Sequence, residues 1–286
     1  MTITRVPIAN SLLAALPYKD YQRILPGLEE ITLTFGVTIY EPGAVISHVY
    51  FPSDSLVSLL TLVEGHLALE VGLIGREGML GVSLALGVNT TPIRALVQGT
   101  GTALRMKSTR FLQEFRRSLP LQQEIYRYTH ALMAQVTQTA ACNRFHVVEA
   151  RLARWLLMTR DRVRSDEFRL TQEFLAHMLG VRRVGVTKAA SALQRQKMIS
   201  YSRGNIRILN LKKLESACCP CYAIVRDMND KSGQATLMKN QKKSQNGDAL
   251  TGPDRRGSQI VRFTTHRRRI SDKLPYADDV MTCNVP

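Results

Sequence analysis

Residues 172–194 read QEFLAHMLGVRRVGVTKAASALQ, and the spacing of small, flexible and β-branched positions in this window admits few folds. Where one helix crosses another, the first needs a small residue at the crossing, and Ala176 supplies it. Gly180, four residues later, can take the positive φ that ends a helix without a Cβ clash. Val186 then falls where a second helix packs back on the first, and Ala189, Ala190 and Leu193 extend its apolar face. The pattern predicts a helix-turn-helix. The outward side of the second helix would carry Arg182, Arg183, Thr187 and Lys188, residue types that reach phosphates and base edges in a major groove.

The flanking sequence predicts an α+β chain. After a short helical opening over Ser11 to Leu25, β-prone runs occupy Ile31 to Phe35, His48 to Phe51, Leu56 to Thr61, Leu67 to Ile74, Ile93 to Val97 and Ala103 to Met106. Turn signals separate them at the roughly 8 to 12 residue spacing of an antiparallel sandwich or roll. Leu67, Leu69, Val71 and Leu73 alternate as a half-buried strand requires. We therefore expect an all-β, jelly-roll-like first domain over 1–120. Pro120 suits the start of a helix. The stripe Leu121, Ile125, Tyr128, Leu132, Gln135 or Val136, and Thr139 predicts a long helix over 121–141, with its seam buried in a two-fold dimer or against its own domain, the dimer being preferred.

A further helix over Val147 to Arg160 is expected to turn Val148, Leu152, Trp155 and Leu156 inward and Arg151, Arg154 and Arg160 to solvent. Ile199 to Leu209 alternates around Arg203-Gly204-Asn205 as a β-hairpin, which completes a winged helix over 142–228, with Ser202 and Arg203 at the wing tip. From 229 to 286 periodicity is lost, and a disordered basic tail is expected.

The chain carries a formal charge of +16. Residues 1–141 hold 11 Lys and Arg against 10 Asp and Glu, whereas residues 142–228 hold 17 against 7, so the excess lies around the helix-turn-helix and favours an anionic partner there. No window approaches roughly eighteen uninterrupted apolar residues, so no membrane partner is expected. The N-terminus lacks a signal-peptide pattern. Five cysteines form no regular framework, which points to a reduced, cytoplasmic setting. Cys218, Cys219 and Cys221 could bind a metal with one more donor, but C-C-x-C matches no zinc spacing cleanly. The expectation is reduced thiols and no metal. Gly72, Gly75, Gly78 and Gly81 form neither a dinucleotide fingerprint nor a P-loop, and the histidines at 48, 66, 130, 146, 177 and 266 show no H-x-x-x-H pair. No enzymatic role is expected.

A β-roll, a connecting helix and a winged helix-turn-helix together resemble the Crp/Fnr family of bacterial transcription regulators, over roughly residues 10 to 228. The resemblance is carried most specifically by RLARWLL (Arg151 to Leu157), LTQEFLAHMLGVRRVGVTKAASALQ (Leu170 to Gln194) and ISYSRGNIRIL (Ile199 to Leu209). It implies a homodimer that binds double-stranded DNA, with RNA polymerase as a further partner, and places Arg182, Arg183 and Lys188 at operator-contacting positions. Two departures stand out. The family's arginine, glutamate, arginine trio appears as Arg183, Val184 and Lys188, and a valine can at most touch a thymine methyl. The family's cyclic-nucleotide turn and its arginine pair correspond to Gly78-Met79-Leu80-Gly81 and Ile93-Arg94-Ala95, without the ribose-binding glutamate or the phosphate-binding arginine. Cyclic nucleotide is therefore not the expected effector, and the pocket residues Gly78, Met79, Leu80, Gly81, Arg94 and Ala95 would serve another small molecule or none. With no cysteine before Cys142, an N-terminal iron-sulfur cluster is excluded. The alternative reading is a small-molecule sensor that acts through protein contacts, with the winged helix as an interaction surface.

Overall fold

The computed structural model describes residues 8–62 and 68–229. Helices α1 (Ser11–Ala14) and α2 (Tyr18–Ile24) lead into strands β1 (Glu29–Leu33), β2 (Thr38–Tyr40), β3 (His48–Pro52), β4 (Leu56–Thr61), β5 (Leu69–Ile74), β6 (Arg94–Gly99) and β7 (Gly101–Lys107). Then come α3 (Ser108–Arg117), α4 (Leu119–Phe145) and α5 (Val148–Val163). The C-terminal part holds β8 (Glu167–Arg169), α6 (Gln172–Leu179), α7 (Arg183–Arg195), β9 (Ile199–Ser202), β10 (Asn205–Ile208) and α8 (Leu211–Ala217). Residues 221–229 are again helical. Leu67, Glu64-Gly65, His66, the tail beyond 229, His266 and Cys283 lie outside the described residues.

The first seven strands form two antiparallel sheets, ordered β1-β7-β3 and β2-β6-β4-β5. Val49, Phe51, Val57, Ala95, Val97 and Met106 are buried between them, as the alternation of apolar residues along the strands requires. Sequence reading found six of the strands to within a few residues. It missed β2, which is three residues long, and left α3 unassigned between the last strand and Pro120. Asn10 anchors the N-terminus: its amide nitrogen donates to the Pro52 and Gly78 carbonyls, both at 2.9 Å, while its oxygen caps α1.

Pro120 is the second residue of α4, whose N-cap Ser118 accepts from the Leu121 N–H and donates to Asp20. The helix is longer than the expected 121–141. The stripe expected at a two-fold seam is buried within the chain instead: Leu121, Ile125 and Tyr128 belong to the β-roll core, and the Gln135 side chain bonds both the N–H and the carbonyl of Leu73. The opposite edge of α4 is the exposed one. Leu119, Gln123, Tyr126, His130, Met133, Thr137, Ala140 and Arg144 follow in alternating steps of four and three, all exposed.

The outer face of β4 and β5 is covered as well. Leu56, Leu60 and Leu73 share one core with Trp155, Leu156, Leu175 and Leu179 of the winged helix. This explains why every residue of α5 from Arg151 to Thr159 is buried, including Arg151 and Arg154, which were expected to face solvent. Arg160 does stay near the surface and pairs with Asp166. The Arg151 guanidinium instead donates to the Leu179 carbonyl at the end of α6, a favourable place for a cation.

Glu70 lies in the middle of this junction. Its carboxylate accepts from Trp155 Nε1 at 2.9 Å and from Ser58 Oγ at 2.7 Å. Burial raises its pKa to about 7, outweighing the hydrogen bonds from Ser58 and Trp155 and the nearby charges of Arg154 and Arg162. The native state therefore holds a proton that the unfolded chain releases near its ordinary pKa of 4.5. The stability this contributes is full below that value and is lost as pH rises to about 7. We predict that Glu70→Gln, whose amide can keep both contacts, removes this loss. Denaturant unfolding at pH 8 should show the variant more stable than wild type by up to about 3 kcal/mol, with the gap closing toward pH 4.5. A gap that widened on acidification would show that Glu70 is ionised in the fold.

Candidate nucleic-acid interface

The window from Gln172 to Gln194 folds as α6, a turn and α7. Thr171 caps α6 by accepting from the Phe174 N–H at 3.1 Å. Gly180 ends it with φ +59°. The Val181 N–H bonds the Ala176 carbonyl and the Gly180 N–H bonds that of His177, the paired arrangement of a Schellman motif. Ala176 and Val186 are both buried, and Val186, Ala189, Ala190 and Leu193 join the core with Leu175 and Leu179. His177 lies on α6 and is half-buried.

On the other side, Arg182, Arg183, Val184, Thr187 and Lys188 are all exposed along the first turns of α7. Arg182 is the N-cap residue and offers no side-chain cap, while its carbonyl accepts from the Gly185 N–H at 2.8 Å in the first turn of α7. Thr187 Oγ1 lies 2.8 Å from Gln172 Oε1 and 3.0 Å from the Arg183 carbonyl. Gln172, at the start of α6, thereby joins the same surface, a residue that sequence reading had not singled out. Among the described residues, Arg182, Arg183, Lys188 and Arg203 take no part in an ion pair.

The wing is a three-stranded antiparallel sheet, β8-β10-β9. Ser202 pairs with Asn205, leaving Arg203 and Gly204 as a two-residue turn with φ +49° and +81°, the signs a type I′ turn needs. Ser202 and Arg203 are exposed at the tip, while Arg207 Nε donates to Glu167 at 2.7 Å along the flank.

The expected effector residues lie in a different setting. Met79, Leu80 and Ala95 are core residues. Gly78 lies under the Tyr128 ring of α4, where a Cβ would meet the ring at 2.2 Å, and the Tyr128 hydroxyl donates to the Met79 carbonyl. Gly81 takes φ +87°, and Arg94 pairs at the surface with Glu41 at 2.9 Å. Glu77 reaches α5, accepting from Arg162 Nε at 2.7 Å. A separate cavity of about 780 Å³ opens between the β-roll and the winged helix, lined by residues such as Phe35, Leu56, Thr159, Phe168 and Phe174. Its size and mainly apolar wall suit a small apolar molecule.

Three of the cysteines come together with a partner that sequence reading passed over. The ligating atoms of Cys142, His146, Cys219 and Cys221 lie within 4.8 Å of one another. Cys218 is not part of the group; its thiol donates to the Glu215 carbonyl.

The sequence profile of the Crp-like helix-turn-helix domain matches residues 150–217. No curated protein matches the chain in sequence. Among solved structures, FixK2 from Bradyrhizobium japonicum superposes with a TM-score of 0.58 at 14% identity, covering 67% of this chain and 98% of its own. The c-di-GMP responsive global regulator CLP of Xanthomonas campestris gives 0.55 at 16% identity, covering 67% and 99%. TTHA1359, a transcriptional regulator of the CRP/FNR family from Thermus thermophilus, gives 0.53 at 20% identity, covering 66% and 97%. The chain thus carries a Crp-like helix-turn-helix domain at residues 150–217, and its fold is that of the solved structures it superposes on.

Proposed function

We propose that this protein is a cytoplasmic transcription regulator that binds a roughly palindromic site in double-stranded DNA as a homodimer and acts on RNA polymerase. The observation that carries the reading is the exposed opening of α7. Among the described residues, Arg182, Arg183 and Lys188 have no carboxylate partner there, so DNA phosphates and base edges would not have to displace such an ion pair. Arg183 and Lys188 are the base-reading candidates, with Val184 against a thymine methyl and Thr187 beside them. Ser202 and Arg203 at the wing tip would hold the backbone. Among the described residues no helix is long and apolar enough to cross a membrane.

The proposed two-fold contact uses the exposed edge of α4. Leu119, Tyr126, Met133 and Ala140 recur every seven residues along it, which is the repeat that lets two helices pack along a common seam. Met133 is 66% exposed and Tyr126 50% exposed in the isolated chain, so both have apolar surface to bury against a second copy.

Two experiments test these points. Arg183→Ala should weaken binding to the selected operator by about 1–3 kcal/mol and relax preference at one base position. Arg203→Asn keeps a residue suited to positive φ, so the wing should persist while affinity falls alike on all sequences and the salt slope drops by about 1. Equal losses on specific and random DNA for both variants would refute the division of labour. Separately, Met133→Glu should convert a dimer to a monomer in analytical ultracentrifugation, with little change in the thermal unfolding of the chain itself. A persistent dimer would place the two-fold contact elsewhere.

A further inference from the structure

Cys142 lies in the last turn of α4 and His146 is the residue that caps its end. Cys219 and Cys221 arrive from the segment that follows α8. Cys142 Sγ lies 3.5 Å from Cys219 Sγ, and Cys221 Sγ lies 3.5 Å from His146 Nδ1. All three sulfurs are buried and the imidazole is half-buried. A tetrahedral zinc ion, with bonds of about 2.3 Å to sulfur and 2.0 Å to nitrogen, sets ligand-to-ligand edges of roughly 3.5 to 3.8 Å. The two close pairs already have about that spacing, and with every separation within 4.8 Å the remaining adjustment needs only small side-chain rotations. We propose that Cys142, His146, Cys219 and Cys221 bind one zinc ion per chain as a closed Cys3His site.

The surroundings support a charged complex rather than four resting side chains. Arg151 and Arg154 are both buried beside the cluster, neither forms an ion pair among the described residues, and the Nε of each is buried without a hydrogen-bond acceptor. Buried cations call for nearby negative charge. Zinc with three thiolates and a neutral imidazole carries one net negative charge. Gln138 Nε2 lies 3.0 Å from Cys221 Sγ, as a donor that orients a ligating thiolate would. The donor set of sulfur and imidazole disfavours magnesium and calcium, which prefer oxygen. With four protein ligands no position is left for substrate, so the site is structural. Its effect follows from its place. It fastens the segment after the winged helix to the end of α4, across the residues 146–147 where α4 gives way to α5.

The test uses the full chain, expressed with zinc in the medium and purified under a thiol reductant without chelator. Elemental analysis should find about one zinc per chain. After chelation, titration with Co²⁺ should produce thiolate-to-cobalt charge-transfer absorption together with the visible bands of tetrahedral cobalt. His146→Ala, with its fold checked by circular dichroism, should weaken cobalt binding about tenfold or more. The pair Cys142→Ser and Cys221→Ser should abolish it. The proposal fails if the reduced wild-type protein takes up neither metal, as it would if Cys142 and Cys219 were a redox pair only. It fails equally if the charge-transfer band survives in the double variant. Neither result depends on DNA binding, so the site and the regulator reading stand or fall separately.

Discussion

The hydrogen bond from the indole of Trp155 to the buried carboxylate of Glu70 joins the two halves of this chain. Glu70 sits on β5, in a sheet whose inner face builds the β-roll. Trp155 sits in the middle of α5, the helix on which the winged helix is assembled. A ring of that size contributes roughly 2–3 kcal/mol by burial alone, and truncating it would cost about 3–5 kcal/mol because the cavity could not close. Ser58 and Gln98 extend the polar contact into the sheet, and Arg162 of the same helix holds Glu77 a turn beyond the strand. The position of α6 and α7 is therefore set by β4 and β5 as much as by the winged helix itself.

The helix-turn-helix was the most legible part of the sequence because its constraints are local. A small residue, a residue with positive φ and a β-branched residue each have one place in the motif, and Ala176, Gly180 and Val186 occupy them. The wing was legible for the same reason, since a two-residue turn fixes its own register. Helix faces were harder. Along α4 two interleaved stripes both follow steps of four and three, and periodicity cannot say which one meets the β-roll. Leu121, Ile125 and Tyr128 face inward, and the edge through Tyr126 and Met133 is left open. Along α5 the error had a different cause. Arginines spaced on one side of a helix normally mark solvent, but here a sheet, α4 and α7 surround the helix, and Arg151 finds its acceptor at the end of α6.

The cysteine cluster shows what sequence spacing leaves out. A C-C-x-C run matches no zinc pattern when read alone. Cys142 and His146 lie more than seventy residues upstream, and only the return of the chain after α8 brings them alongside. The turn expected to hold an effector makes a related point. Met79 is fully buried in the β-roll core, and the Tyr128 hydroxyl of α4 donates to its carbonyl. At this turn the chain packs against the helix that carries the proposed two-fold seam.

Leu56, Leu60 and Leu73 belong to the same core as the winged helix, and this bears on how such a chain can be divided or evolved. Cutting between α4 and α5 would strip the outer face of β4 and β5 as surely as it would bare α5 and α6. Each fragment would present a broad apolar surface and one half of the Glu70 contact. The β-roll and the winged helix are not interchangeable modules. A chimaera that kept this winged helix but borrowed another β-roll would have to inherit the facing residues of β4 and β5 with it, so sequence change on either side of the junction is tied to change on the other.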